Sequence, residues 1–176
     1  TGLFGYEQID PPMFEETSLF VRGVGTGTDI VDKEMYSFQD KGGVDLTLRP
    51  EFTASFMRAY IEHGMHVLPQ PVKLFAIGPV FRYERPQAGR FRQHHQFNVE
   101  AVGELDPAVD VEVMSVAWTL LSRLGYRDLS FQLNSTGCPR CRPAYRAELV
   151  SFFGAHVSRL NDVDRRRLDI NPLRLL

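Results

Sequence analysis

Arg82-Tyr83-Glu84-Arg85-Pro86-Gln87-Ala88-Gly89-Arg90-Phe91-Arg92-Gln93-His94-His95-Gln96-Phe97-Asn98-Val99-Glu100 sets four arginines around a turn containing Pro86 and Gly89, then runs into a strand-like alternation. In that second arm Gln96, Asn98 and Glu100 share one parity, and His95, Phe97, Val99 and Ala101 share the other. A strand projects i, i+2 and i+4 to one face. The odd set is therefore expected to pack inward while the even set lines a polar floor. Before the turn, Phe81 and Tyr83 alternate with Arg82 and Glu84 in the same way. Two alternating arms joined by a Gly-containing loop read as a hairpin, with residues 74–84 beside 93–103. Arginine's planar fork binds phosphate oxygens in pairs and keeps its charge near neutral pH. Arginines facing acids and amides thus suit an anionic, phosphate-bearing ligand that also carries a positive group. Any one of these arginines fits a solvated surface equally well. The set does not, because Gln96 and Glu100 are odd choices for a face with nothing to bind.

Working outward, Met35 to Phe38, the turn Asp40-Lys41-Gly42-Gly43 and the alternation Val44, Leu46, Leu48 read as a second hairpin. Pro50 breaks it. A helix is expected from about Thr53 to His63, with Phe56, Met57, Tyr60 and Ile61 as its apolar stripe and Gly64 as its stop. Lys73 to Gly78 is an apolar strand. The clearest helix runs from Pro107 to Leu124: Asp106 caps it, Pro107 suits the first turn and Gly125 ends it. Val109, Val113, Val116, Ala117, Leu120, Leu121 and Leu124 form its core-facing stripe. Leu129, Phe131 and Leu133 alternate as a strand. A further helix is expected from Ala144 to about Leu160, burying Leu149, Phe152, Phe153, Val157 and Leu160. Arg165-Arg166-Arg167 lies among Asp162, Asp164 and Asp169, a mixed-charge solvated face. Hairpins followed by helices give an α+β domain with a mainly antiparallel sheet flanked by helices.

The 176 residues are enough for one well-buried domain, and 43% hydrophobic with 24% charged residues is the balance of a globular protein. A net charge of −2 argues against general nucleic-acid binding, so any RNA contact rests on local patches. No apolar run is long enough to span a bilayer and no signal peptide is visible, so the expected location is cytoplasmic, with no membrane partner. Repeats and low-complexity segments are absent.

Residues 82–100 resemble motif 2 of the class II aminoacyl-tRNA synthetases in the form found in histidyl-tRNA synthetases. Thr47-Leu48-Arg49-Pro50-Glu51-Phe52-Thr53-Ala54 resembles that family's histidine-binding turn. Phe14-Glu15-Glu16 through Thr28-Asp29-Ile30-Val31-Asp32-Lys33-Glu34-Met35-Tyr36 resembles the stretch around and after motif 1. The resemblance runs in order along essentially the whole chain. It implies ATP-dependent activation of L-histidine to histidyl-adenylate, then transfer to histidine tRNA, with magnesium as the phosphate counter-ion and a homodimer in the full-length enzyme. By resemblance, Arg82 is the catalytic arginine on the α-phosphate and the substrate carboxylate. Arg90 reaches the far phosphates, and Glu84 places the adenine end. Glu51 and Thr53 stand at the positions that hold histidine's amino group, with Phe52 between them also at the histidine site, and Gln96 and Glu100 at those that accept its hydrogen bonds, Glu100 toward the imidazole. A helix N-terminal acid favoured by the dipole is an equally good reading of Glu51 alone. No protein-held metal is expected.

Phe52 departs from the family, which usually has Gly there, so the backbone's approach to histidine is expected to be altered or crowded. The chain is expected to be the N-terminal part of a catalytic domain spanning residues 1–176. The motif 1 helix, motif 3 with its ATP-binding arginine, a later catalytic arginine and the anticodon-binding domain are expected outside it. Cys138 and Cys141 form a single CxxC without a second pair. A structural zinc wants four ligands, and the thioredoxin-like βα setting of a redox pair is weak here. Two reduced thiols in a loop, as in some members of the family, is the reading, with a metal half-site completed by another chain as the alternative. A non-catalytic regulatory paralogue of ATP phosphoribosyltransferase is the competing function. It shares the fold but tends to lose the substrate residues that this chain keeps.

Overall fold

The computed structural model describes residues 2–25, 28, 30–85, 87–135 and 137–175. Pro86 of the motif 2 turn and Asp29 of the segment after motif 1 lie outside the described residues. The chain divides into two compact units, Thr1–Leu129 and Ser130–Leu176.

In the first unit two three-stranded sheets carry the architecture. One is the long hairpin of β5 (Val72–Phe81) and β6 (Gln93–Val102), antiparallel in register from Val72 opposite Val102 to Phe81 opposite Gln93. The short β1 (Glu7–Gln8) joins the other edge of β5 in parallel. The second sheet is antiparallel throughout, with β2 (Phe14–Glu16) and β3 (Tyr36–Gln39) flanking β4 (Asp45–Leu48). Both expected hairpins are present. The β3–β4 turn is built by Asp40, whose Oδ1 accepts from the backbone N–H of Gly42 and Val44 at 2.8 and 2.9 Å, while Gly43 takes a φ of 83°. A short carboxylate that bonds its own backbone and a Gly in left-handed space are what such a turn needs. Helix α1 (Thr17–Val24) follows β2 directly. At the centre of the second sheet the buried Thr47 hydroxyl bonds Thr17 and Ser37 at 2.8 and 2.7 Å.

Helix α2 (Thr53–Glu62) supplies the core, with Phe52 and Phe56 packed edge-to-face on Val72, Leu74, Ala76 and Val80 of β5. It ends at Gly64 with φ 60°, as its sequence predicts. Ile61 is not in its buried stripe but 71% exposed. At about 100° per residue it sits roughly 140° around the helix from Phe56, so it turns away from the sheet.

The alternation of β6 holds, but its faces are assigned differently from expectation. Gln96, Asn98 and Glu100 lie opposite Gly78, Ala76 and Leu74, on the α2 side where β5 buries its apolar residues. The odd set is half-buried at most, with His95 exposed. Apolar groups on β5 already complete the core beneath α2, so β6 can present polar groups beside it.

Helix α3 (Pro107–Arg123) has the expected cap, Asp106 Oδ accepting from Ala108 N–H at 2.8 Å. Its N-terminal half is tied to β5 by the Lys73–Glu112 ion pair at 2.8 Å, and Val116 is buried. The stripe fails toward the C-terminus, where Leu120 is exposed and Leu124 is 66% exposed.

At the boundary between the units the predicted strand at Leu129, Phe131 and Leu133 is absent, and Leu133 is 75% exposed. A lone strand leaves its backbone groups unpaired, and the described residues of the second unit are otherwise helical. Helix α4 (Arg142–Gly154) stops short of Leu160, and α5 (Asp162–Ile170) follows a short 3-10 turn. The early stop at Gly154 throws Val157 out of phase and leaves it exposed; Phe152, within α4, is also exposed, while Leu149, Leu168 and Pro172 are buried. Arg165 and Arg167 pair with Asp162 and Asp164, as the mixed-charge reading requires.

Candidate active site

The turn between β4 and α2 is held by one buried cation. Arg49 donates from Nε to Pro79 O at 2.9 Å and from Nη1 to Pro11 O at 2.6 Å, and its guanidinium lies 4.5 Å from the centroid of the Phe52 ring. Burial pushes its guanidinium down from the ordinary arginine value, with Asp10 pulling the other way, yet arginine stays charged near neutrality. Gly78 leaves room for it, since a Cβ there would lie 2.8 Å from Arg49 Nη2. The cation thus pins the residue 50–53 turn to β5.

On that turn Glu51 folds back on the start of α2. One carboxylate oxygen accepts from Thr53 N–H and the other from Ala54 N–H at 3.0 Å. This is the helix N-terminal role anticipated for an acid at this place. Phe52 is 1% exposed and its ring faces the core, so its side chain does not occupy the space beside Thr53. Thr53 Oγ1 reaches across to Glu100 Oε1 at 2.6 Å, and Asn98 Nδ2 donates to the same oxygen at 3.1 Å. Residues 47 positions apart in sequence meet there.

Gln96 lies on the same face of β6 as Asn98 and Glu100, opposite Gly78. Its Oε1 is buried and has no partner among the described residues. A buried acceptor without a donor is costly, and a ligand N–H would remove that cost. Arg82 is joined to the turn by Nε donating to Pro50 O at 2.8 Å, and its backbone N–H bonds Arg92 O at 2.9 Å. Farther along the loop Arg90 Nη1 stands 3.6 Å from Glu84 Oε2, with Arg90 mostly exposed. Arg92 stacks 3.9 Å from the centroid of Tyr83.

The structure therefore gathers Thr53, Glu100 and Gln96 along one face, with Arg82 anchored at the end of the turn that carries Glu51. Arg90 and Glu84 form a separate pair in the loop. A cavity of about 930 Å³ between α1 and α2 takes in Glu51 and Thr53 but not Arg82, Gln96 or Glu100. Sequence reasoning put Asn98 on the polar floor without giving it a role, and did not single out Arg49. Asn98 shares the parity of Gln96 and Glu100, which is the signal that finds it. Arg49 leaves no such trace, because an arginine before Pro reads as surface.

The sequence model of the histidyl-tRNA synthetase family matches residues 2–140. A histidine–tRNA ligase of Dehalococcoides mccartyi is 56% identical over 175 residues, covering 99% of this chain and 42% of that protein. Among solved structures, apo S. aureus histidyl-tRNA synthetase aligns with a TM-score of 0.77 at 38% identity, over 99% of this chain and 40% of that one. A Bacillus halodurans structure described as an ATP phosphoribosyltransferase regulatory subunit/histidyl-tRNA synthetase shares the fold, with a TM-score of 0.64 at 24% identity over 95% of this chain and 46% of that one. The chain spans about two fifths of the length of the curated relatives it matches. A hairpin of motif 2 pattern, a turn bound to it through Thr53 and Glu100, and sequence agreement along nearly the whole chain have one common explanation: this chain belongs to the histidyl-tRNA synthetase family.

Proposed function

We propose that, within its full-length protein, this chain activates L-histidine with ATP and passes the histidyl group to histidine tRNA. The observation that carries the reading is the Thr53–Glu100 hydrogen bond at 2.6 Å, because it joins two segments proposed to hold one amino acid. The substrate carboxylate must attack the α-phosphate although both are anions, so the reaction needs a fixed cation and alignment. Arg82, oriented by its bond to Pro50 O, is the catalytic cation in this reading. Glu51 and Thr53 meet the ammonium, with the backbone of Phe52 between them. Gln96 and Glu100 accept from the substrate, Glu100 on the imidazole side. A buried acceptor left unpaired, as Gln96 Oε1 is here, rejects analogues lacking the matching N–H by orders of magnitude.

Arg90 reaches the outer phosphates and Glu84 the adenine end of ATP. Magnesium arrives with the triphosphate in this reading, since the ion is commonly bound through phosphates and few protein oxygens. The full-length enzyme is read as a cytoplasmic homodimer. Among the described residues no helix is long and apolar enough to cross a membrane.

Two substitutions in the full-length protein test this. Arg82→Ala should lower kcat for histidine-dependent pyrophosphate exchange by ~10²-fold or more, with little change in histidine binding, because its charge matters most as negative charge builds at phosphorus. Glu100→Ala should act chiefly through KM and selectivity for histidine. If titration calorimetry finds histidine affinity unchanged in Glu100→Ala, or exchange is unaffected by Arg82→Ala, the assignment of roles is wrong.

A further inference from the structure

The cysteine pair belongs to none of this chemistry. Cys138 and Cys141 lie in the second unit, both exposed, both free, with their sulfurs 3.4 Å apart. The turn that carries them is closed from several sides. Arg142 N–H donates to Cys138 O at 2.9 Å, the Arg142 guanidinium donates to Gly137 O at 2.8 Å, and Cys138 N–H donates to Cys141 Sγ at 3.2 Å. Gly137 takes a φ of 76°, and a Cβ there would stand 3.0 Å from Cys141 Sγ. Cys141 is the N-cap residue immediately before α4, so both thiols sit at the positive end of a 13-residue helix, beside Arg142.

From this arrangement we infer that Cys138 and Cys141 form a reversible redox pair, oxidised to an intramolecular disulfide by low-molecular-weight disulfides. A metal site is the poorer reading, because no third His, Cys, Asp or Glu completes a ligand group there among the described residues and thiolate sites for zinc use four ligands. A disulfide needs only the two sulfurs. The sulfurs face each other across a short turn, so closure needs about 1.4 Å of approach to reach the ordinary bond length.

The order of attack follows from the surroundings. Hydrogen bonds from the Cys141 backbone and side chain, and from the Arg140 backbone, lower the Cys138 thiol below its ordinary value. Cys138 is therefore the attacking thiolate. It displaces one thiolate from the oxidant and forms a mixed disulfide. Cys141 then gives up its proton, attacks Cys138 Sγ and expels the second thiolate. The dithiol loses two electrons and two protons, and the oxidant becomes two thiols.

The test uses the full-length protein and oxidised glutathione. Trypsin cuts after Arg140, so peptides ending at Arg140 and starting at Cys141 stay linked only if the disulfide has formed. Expected in the wild type is that linked species, lighter by two hydrogens and reversed by dithiothreitol. Cys141→Ser should instead trap glutathione on Cys138, roughly 3-fold or more faster than Cys138→Ser traps it on Cys141, because the hydrogen bonds around Cys138 favour its thiolate. Both variants change only an exposed turn, and circular dichroism of each is the check on folding. A wild type that stops at the mixed disulfide, or equal trapping rates in the two variants, overturns the proposal. So does stoichiometric zinc in the purified protein that is lost in both serine variants.

Discussion

Arg49 is the residue on which the geometry of the turn depends most. It is buried and holds Pro11 and Pro79 through their carbonyls while stacking on Phe52. Replacing it with Met keeps the bulk but strands both carbonyls. Each buried acceptor left unpaired costs about 1–3 kcal/mol, so Arg49→Met should lose about 3 kcal/mol or more in urea unfolding of this chain. A loss below about 1 kcal/mol would mean that the carbonyls find water instead. Glu51 shows why single residues mislead in the opposite direction. The structure gives its carboxylate an ordinary helix-capping task, while resemblance gives the same position a place at the substrate. Sequence supplied both readings and could not rank them, because a carboxylate suits an N–H of α2 and an ammonium equally well.

At the scale of elements, β1, β5 and α3 meet around a buried phenol. Tyr6 precedes β1 and is buried, Lys73 of β5 stands 5.8 Å from its ring centroid, and Glu112 of α3 pairs with Lys73. Burial first, and then the negative charge of Glu112, push the Tyr6 hydroxyl up to about 12. A raised phenol is a protonated group that the fold protects. Its contribution is complete below the unfolded value of 10.0 and is lost as pH rises through about 12. The informative quantity is the difference between wild type and Tyr6→Phe, which cancels whatever the other groups contribute in this range. Between pH 10 and 12 the wild type should lose on the order of 2 kcal/mol more than the variant in denaturant unfolding. Parallel curves for the two proteins would show that the phenol is not held protonated. The elements themselves were largely legible: both hairpins, α2 and α3 follow from alternation, caps and glycine stops. Which face of β6 turned inward was not, since periodicity defines two faces and only the partner strand decides between them. Ile61, Leu120 and Leu124 failed for a related reason. An apolar stripe says which residues could be buried, while what the rest of the fold packs against the helix says which are.

For the whole molecule, the division at residues 129 and 130 falls where sequence reasoning placed a strand. Alternation of Leu129, Phe131 and Leu133 imitates a half-buried strand, yet pairing is a property of two segments and the second unit offers helices. Residues 129–135 carry no regular structure, and all but Leu129 are exposed. A protease needs an extended, accessible backbone, and such segments are cut before the elements they connect. Brief chymotrypsin treatment of the 176-residue chain should therefore cleave first after Phe131 or Leu133, leaving one fragment of each unit. The equally exposed Phe152 lies within α4 and should survive, because helical backbone does not fit a protease cleft without unfolding. Early cutting within α4 instead, followed by mass spectrometry of the fragments, would show that the second unit opens more readily than the connection before it, and the boundary would have to be redrawn.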